Sequence, residues 1–278
     1  MITSTSQPSS ANHWQRLPQL GAWSALILLA YSLATLLMMV LTGGQPETVD
    51  AIFKMLREDR FVGLLRLDLL TVLVMPLYYV LFLSFWALLK QVDGMNAVLS
   101  TILVFAGLTL FLATPSVFSY LFLSDRYAAA ASDIQRAQIL AAGEAILASD
   151  MWHGTGALIG GLLMQSGAVL ISAAMLRGGV FSKATAYAGL VTHGLDLAHA
   201  VVGLFSPVAG MILMGIAGPL YLVWFPLIAR DLFRAAAKAR AARSLVGELS
   251  IEAKNAPELV GQRVAHGSSQ RRGAISGS

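Results

Sequence analysis

Six stretches of the chain are almost uninterrupted in apolar character, at about 19–42, 62–90, 97–123, 152–176, 184–206 and 207–230, each bounded by charge or by Gly, Pro or Ser. Runs of this length exceed barrel strands, and a backbone surrounded by lipid must satisfy its amides internally, so the pattern predicts helices that cross a bilayer. The narrowest connection is Ser206-Pro207, between the fifth and sixth runs. The expected fold is therefore all-α: a six-transmembrane-helix bundle over 19–233, a polar N-terminal segment at 1–18 and a basic tail at 234–278. Two segments outside the runs also look helical. Arg126 to Ser149 is Ala-rich with Ile134, Leu140, Ile146 and Leu147 among polar residues, which suits an interfacial helix on the outer surface. Asp231 to Leu245 carries Arg234, Lys238, Arg240 and Arg243 and would continue the last helix along anionic lipid headgroups. Beyond Gly247 aromatic residues are few and Gly, Ser, Gln and Arg frequent, so disorder is expected.

Composition supports lipid as the solvent. Hydrophobic residues make up 56% and charged residues 12% of the 278 positions, and mean hydropathy is +0.69, well outside the soluble average. The absence of cysteine excludes disulfides, thiolate metal sites and a cysteine nucleophile. The formal charge of +4 does not point to nucleic acid, because nine of the 19 Lys and Arg residues lie from Arg230 onward, the pattern of an anchor at the inner leaflet. With the tail inside, thirteen Lys and Arg residues fall on the inner side and five on the outer, with Arg66 within a run. Both termini are thus expected in the cytoplasm, and the first apolar run, too long for a signal-peptide core, is read as an uncleaved span.

The stretch from Ser124 to Phe233 contains SDRYAAAASDIQRAQILAAGEAILAS, then GTGALIGGLLMQSGAVLISAAMLRGGVFSKATAYAGLV, then GIAGPLYLVWFPLIARDLFR. It resembles a bacterial family of multi-pass membrane proteins known only as domain of unknown function 4386. The likeness is strongest around Tyr127 to Ala148, Met175 to Tyr187 and Ala229 to Phe233, and weakens through the first two spans. The resemblance implies a six-helix inner-membrane bundle and no activity. His153, His193 and His199 stand where the family has mostly neutral residues.

Candidate chemistry lies in the ionisable residues of the runs, each of which needs a partner or a watery cavity. Asp196 sits near the middle of the fifth run, flanked by His193 and His199; Asp150 and His153 open the fourth at its outer end. These five residues define an expected binding site, a polar pocket open to the outer side with Asp196 as its acid. Residues at i and i+3 are neighbours on a helix, so Asp196 can meet either histidine, whereas His193 and His199 differ by about 120° and about 9 Å. A zinc site would need Asp196, His199 and His153 or Asp150, at mismatched depths, and a haem would need facing histidines from two helices. Neither a metal nor another cofactor is expected. Arg66 and Asp68 are read as headgroup-zone residues that snorkel. Pro76, Pro115, Pro219 and Pro226 are read as ordinary kinks, and Gly156, Gly160, Gly161 and Gly167 as a close-packing stripe within the bundle or between copies. The expected partners are the bilayer, anionic lipid at the tail, and a second copy or another membrane protein. Three functions fit: a small-molecule binding or carrier protein, a structural or regulatory subunit, and, third, a membrane enzyme, which the short loops disfavour.

Overall fold

The computed structural model describes residues 16–44 and 46–273, with side chains to Gly247. The expected polar segment at 1–18 therefore lies largely outside the described residues, as do the last five residues. The chain divides into two compact units, one ending at Phe233 and the other beginning at Arg234.

All regular structure among the described residues is helical: α1 Leu17–Thr42, α2 Val49–Glu58, α3 Arg60–Arg66, α4 Leu69–Val74, α5 Leu77–Leu89, α6 Gly94–Leu112, α7 Val117–Ala129, α8 Asp133–Leu147, α9 Thr155–Gly178, α10 Lys183–Gly203 and α11 Pro207–Gly273. Five segments are long and apolar enough to cross a bilayer: Leu17–Thr42, Leu69–Leu89, Gly94–Ala129, Thr155–Gly178 and Pro207–Gly247. The fifth expected run does form a helix, α10, of 21 residues, but His193, Asp196 and His199 dilute its hydropathy and it is not among the five. The second unit is helical to Gly273, where composition leads one to expect disorder beyond Gly247. Residues such as Ile251, Glu252, Ala253 and Lys254 are adequate helix formers, and a helix closes its own backbone hydrogen bonds without needing a core.

Two expected spans are interrupted. The second breaks at Leu67 and Asp68, where Asp68 adopts a left-handed conformation (φ 66°), and again at Met75 and Pro76, since proline has no N–H to donate. The third breaks between α6 and α7 around Pro115. Pro219 and Pro226 leave α11 unbroken.

Helix α9 is the centre of the first unit and packs on α6 and α10, while α1 packs on α5. The α6–α9 contact depends on glycine. A Cβ at Gly107 would lie 2.5 Å from the Gly160 carbonyl oxygen, and one at Gly160 would lie 2.7 Å from the Gly107 oxygen and 2.9 Å from the Phe111 nitrogen. The helices touch backbone to backbone, which gains dispersion contacts that lipid tails do not supply. Two turns further, the Ser100 hydroxyl donates to the Gly167 carbonyl (2.7 Å) in a buried position. Of the expected glycine stripe, Gly160 and Gly167 thus pack on α6, whereas a Cβ at Gly161 would meet nothing within 4 Å. The main core joins Leu28, Phe82, Phe85, Ile171, Trp224 and Phe225, all at most 1% exposed.

A second cluster caps the end of the bundle where α2, α7 and α8 gather, with Val49, Ile52, Phe53 and Leu56 of α2 packed with Val117 and Tyr120 of α7. Gly143 of α8 sits against Val49 and Phe53, so α8 is seated on α2 by one small residue. At the other end of the bundle, the buried Asp231 accepts hydrogen bonds from the Ser182 backbone N–H (2.8 Å), the Thr185 hydroxyl (2.6 Å) and Arg230 Nε (3.0 Å). Ser182 also caps α10 by accepting from the Thr185 N–H. Asp231→Ala strips the acceptor from the buried Thr185 hydroxyl and the half-buried Ser182 N–H and is expected to cost roughly 1–3 kcal/mol, read as a lower melting temperature in detergent, with Asp231→Asn intermediate.

Candidate functional site

The α9 sequence Met164-Gln165-Ser166 places a long amide side chain near the middle of an otherwise apolar helix. An unpaired amide there would cost free energy, so it recruits partners from the neighbouring helices. Gln165 Nε2 donates to Asp196 Oδ2 of α10 (2.7 Å) and to Tyr221 Oη of α11 (3.2 Å), and Gln165 Oε1 meets His193 Nδ1 (2.7 Å). The Tyr221 hydroxyl donates to Asp196 Oδ2 (2.7 Å). Because the amide N–H groups are committed to Asp196 and Tyr221, Oε1 acts as the acceptor and His193 Nδ1 as the donor. Four side chains from three helices thus form one network.

Two features set this network apart from a satisfied packing element. Both hydrogen bonds to Asp196 fall on Oδ2, so among the described residues Oδ1 has no hydrogen-bonding partner, and the residue is half-buried. His193 is 1% exposed, and its Nε2 is buried without a partner. The ring stands edge-on to Trp224, with centroids 4.5 Å apart, and Trp224 Nε1 is also buried and unpartnered.

The five expected site residues do not converge. Asp196 and His193 share the network, joined through Gln165 rather than directly. His199 instead directs Nδ1 to the Gly210 carbonyl oxygen (2.9 Å), where α10 and α11 cross so tightly that a Cβ at Gly210 would lie 2.7 Å from Gly203 Cα. Asp150 and His153 form a separate pair (3.1 Å) before the start of α9. From Thr155 to Gln165 is about ten residues, roughly 15 Å along the helix at about 1.5 Å per residue, which puts this pair out of direct reach of Asp196. No group of three or more His, Asp or Glu side chains placed to hold a metal ion occurs among the described residues. Sequence reasoning missed Gln165 and Tyr221. A lone glutamine in an apolar run was a usable signal, since such a residue needs a partner.

The Asp150 pair belongs to its own polar patch. Asp150, 4% exposed, accepts from the Trp152 and His153 backbone N–H groups, and Trp152 Nε1 donates to Asp68 Oδ2 (3.3 Å). Asp68 lies just before the spanning segment Leu69–Leu89. Burial pushes its carboxyl up to about 6; hydrogen bonds from Trp152 and Thr71 oppose this, and nearby Asp150 adds to it. The folded protein therefore keeps a proton on Asp68 over about pH 4 to 6, where an unfolded chain has lost it, so this group's contribution to stability falls as pH rises through that window. Asp68→Asn is expected to flatten the dependence of melting temperature on pH between 4 and 7.

Among the described residues the protein is all-helical, with five segments long and apolar enough to cross a membrane and a polar network that joins two of them to α10. Comparison of the chain with protein-family models, with curated proteins and with solved structures gives no match in any of the three.

Proposed function

We propose that this protein is a small-molecule binding or carrier protein of a bacterial inner membrane, with its site at the Asp196–Gln165–His193–Tyr221 network. The observation that carries this reading is the half-buried acid within the helical bundle, one of whose oxygens has no hydrogen-bonding partner among the described residues. A purely structural polar cluster minimises its cost by satisfying every group, whereas a binding site keeps one for its ligand.

The reading includes a sixth span. Helix α10 is long enough, at about 1.5 Å per residue, to cross a core of roughly 30 Å. It also exposes Tyr187, Val191 and Val201, side chains suited to lipid. Six spans put both termini on one side, the cytoplasmic one by the distribution of Lys and Arg. The resemblance to the domain of unknown function 4386 family agrees with this topology and adds no activity. Arg234, Lys238, Arg240 and Arg243 suit anionic lipid at the inner leaflet, and α8 suits the outer interface.

A site that exchanges a ligand must be reached by water. The chain has no cysteine, so one introduced thiol reports alone. Ala200 lies one turn beyond Asp196 on the same face of α10 and is half-buried. In Ala200→Cys, a charged, membrane-impermeant thiosulfonate is expected to modify the thiol. Protection from that reagent, with reaction only by a lipid-permeable maleimide, contradicts a water-reached site and favours a structural role.

A further inference from the structure

The surroundings of Asp196 point to the chemical class of the ligand, an inference that rests on the site proposed above. Across 17–42, 69–89, 94–124, 155–176, 184–203 and 207–229 Asp196 is the only Asp, Glu, Lys or Arg residue, so no lysine or arginine from these stretches neutralises it. The two histidines on its helix are engaged elsewhere, His193 Nδ1 with Gln165 and His199 Nδ1 with the Gly210 carbonyl. The donors that Asp196 does receive, from Gln165 and Tyr221, are neutral and converge on Oδ2. Oδ1 is left as an acceptor of negative character in a medium where a charge is costly unless paired.

Beside this acid stands an aromatic ring. Tyr221, whose hydroxyl holds the carboxylate, is half-buried and is backed by the core side chains Phe225 (5.6 Å) and Trp224 (6.3 Å). Aromatic faces carry negative potential and attract ammonium groups while tolerating an apolar body. An anionic solute meets repulsion from the carboxylate, and a neutral one gains a hydrogen bond without charge complementarity. A protonated amine satisfies both features, donating N–H to the open oxygen and resting its carbon skeleton against the Tyr221 ring.

We propose that the site binds a small organic cation, a protonated amine with an apolar body, through Asp196 Oδ1 and the ring of Tyr221. The test uses three probes of one shape and different charge, phenethylammonium, 2-phenylethanol and 3-phenylpropionate, in equilibrium dialysis against the purified full-length protein, with protein-free micelles as the blank. Phenethylammonium is expected to bind at least about tenfold more tightly than the alcohol, and the carboxylate not measurably. A tenfold preference is the scale of one modest interaction. Asp196→Asn is expected to remove the preference and Asp196→Glu to keep it, each variant first shown to be monodisperse and of unchanged helicity. Equal binding of ammonium and alcohol, a preference that survives Asp196→Asn, or no phenethylammonium binding to millimolar concentration in folded protein overturns the inference. Failure here with Ala200→Cys still open to the impermeant reagent discards only the cation; failure of both discards the site.

Discussion

Gly160→Val is expected to destabilise the bundle by about 3 kcal/mol, the upper range for overpacking, and to reduce the yield of monodisperse protein in detergent. At Gly160 a Cβ would lie 2.7 Å from the Gly107 oxygen and 2.9 Å from the Phe111 nitrogen. Both are backbone atoms, so no side-chain rotation relieves the clash and α6 and α9 must separate. Separation also pulls Gly167 away from Ser100, whose hydroxyl donates to the Gly167 carbonyl, and shifts α9, which carries Gln165. The neighbouring Gly161→Val is the control. A Cβ there meets nothing within 4 Å, so a change within about 0.5 kcal/mol is expected. Equal melting temperatures for the two variants would show that α6 and α9 are not in backbone contact.

The second large effect is expected at Gln165→Leu. The amide joins His193, Asp196 and Tyr221 across three helices; leucine fills comparable space and offers no hydrogen bond. His193, 1% exposed, loses the acceptor for Nδ1, and Asp196 loses one of its two donors. Leaving such groups unpaired costs roughly 1–3 kcal/mol, with the lower figure favoured where a membrane-embedded unfolded state finds other partners. The functional loss is expected to be larger than the structural one, because the amide aims the carboxylate. Probe binding is expected to weaken at least about tenfold in protein that still elutes as a single species. A variant that melts lower and binds normally would make Gln165 a packing residue alone.

Much of the scaffold was legible because lipid leaves the backbone one spanning solution short of a closed barrel. Long apolar runs such as Leu17–Thr42 and Thr155–Gly178 read directly as helices. The interruption at Asp68 was legible only in part: the charge marks the position and leaves Leu69 to Leu89 as an uncharged run, but its left-handed conformation leaves no mark in hydropathy. Helix α2 was missed although Val49, Ile52, Phe53 and Leu56 have the spacing of one helix face; ten residues next to long apolar runs carry a weak signal. Asp196 and His193 draw notice because a charge or an imidazole in an apolar run stands out. The i, i+3 spacing puts them on one side of α10, yet it cannot show that each side chain reaches across to α9. His153 and Asp150 share residue type and sidedness with the site but lie about ten residues of helix away, a separation that depends on where α9 begins.

Helix α10 is proposed to cross the membrane and carry its acid to mid-depth. Val191, 52% exposed and little more than a turn before Asp196, is a suitable reporter. A nitroxide on Val191→Cys in lipid vesicles can be read by power saturation against oxygen and a water-soluble nickel chelate. Strong oxygen and weak nickel relaxation are expected, with a depth more than about 10 Å below the phosphates, as for the interior of a core roughly 30 Å thick. Strong nickel relaxation at phosphate depth would instead make α10 a surface helix and rule out the proposed span.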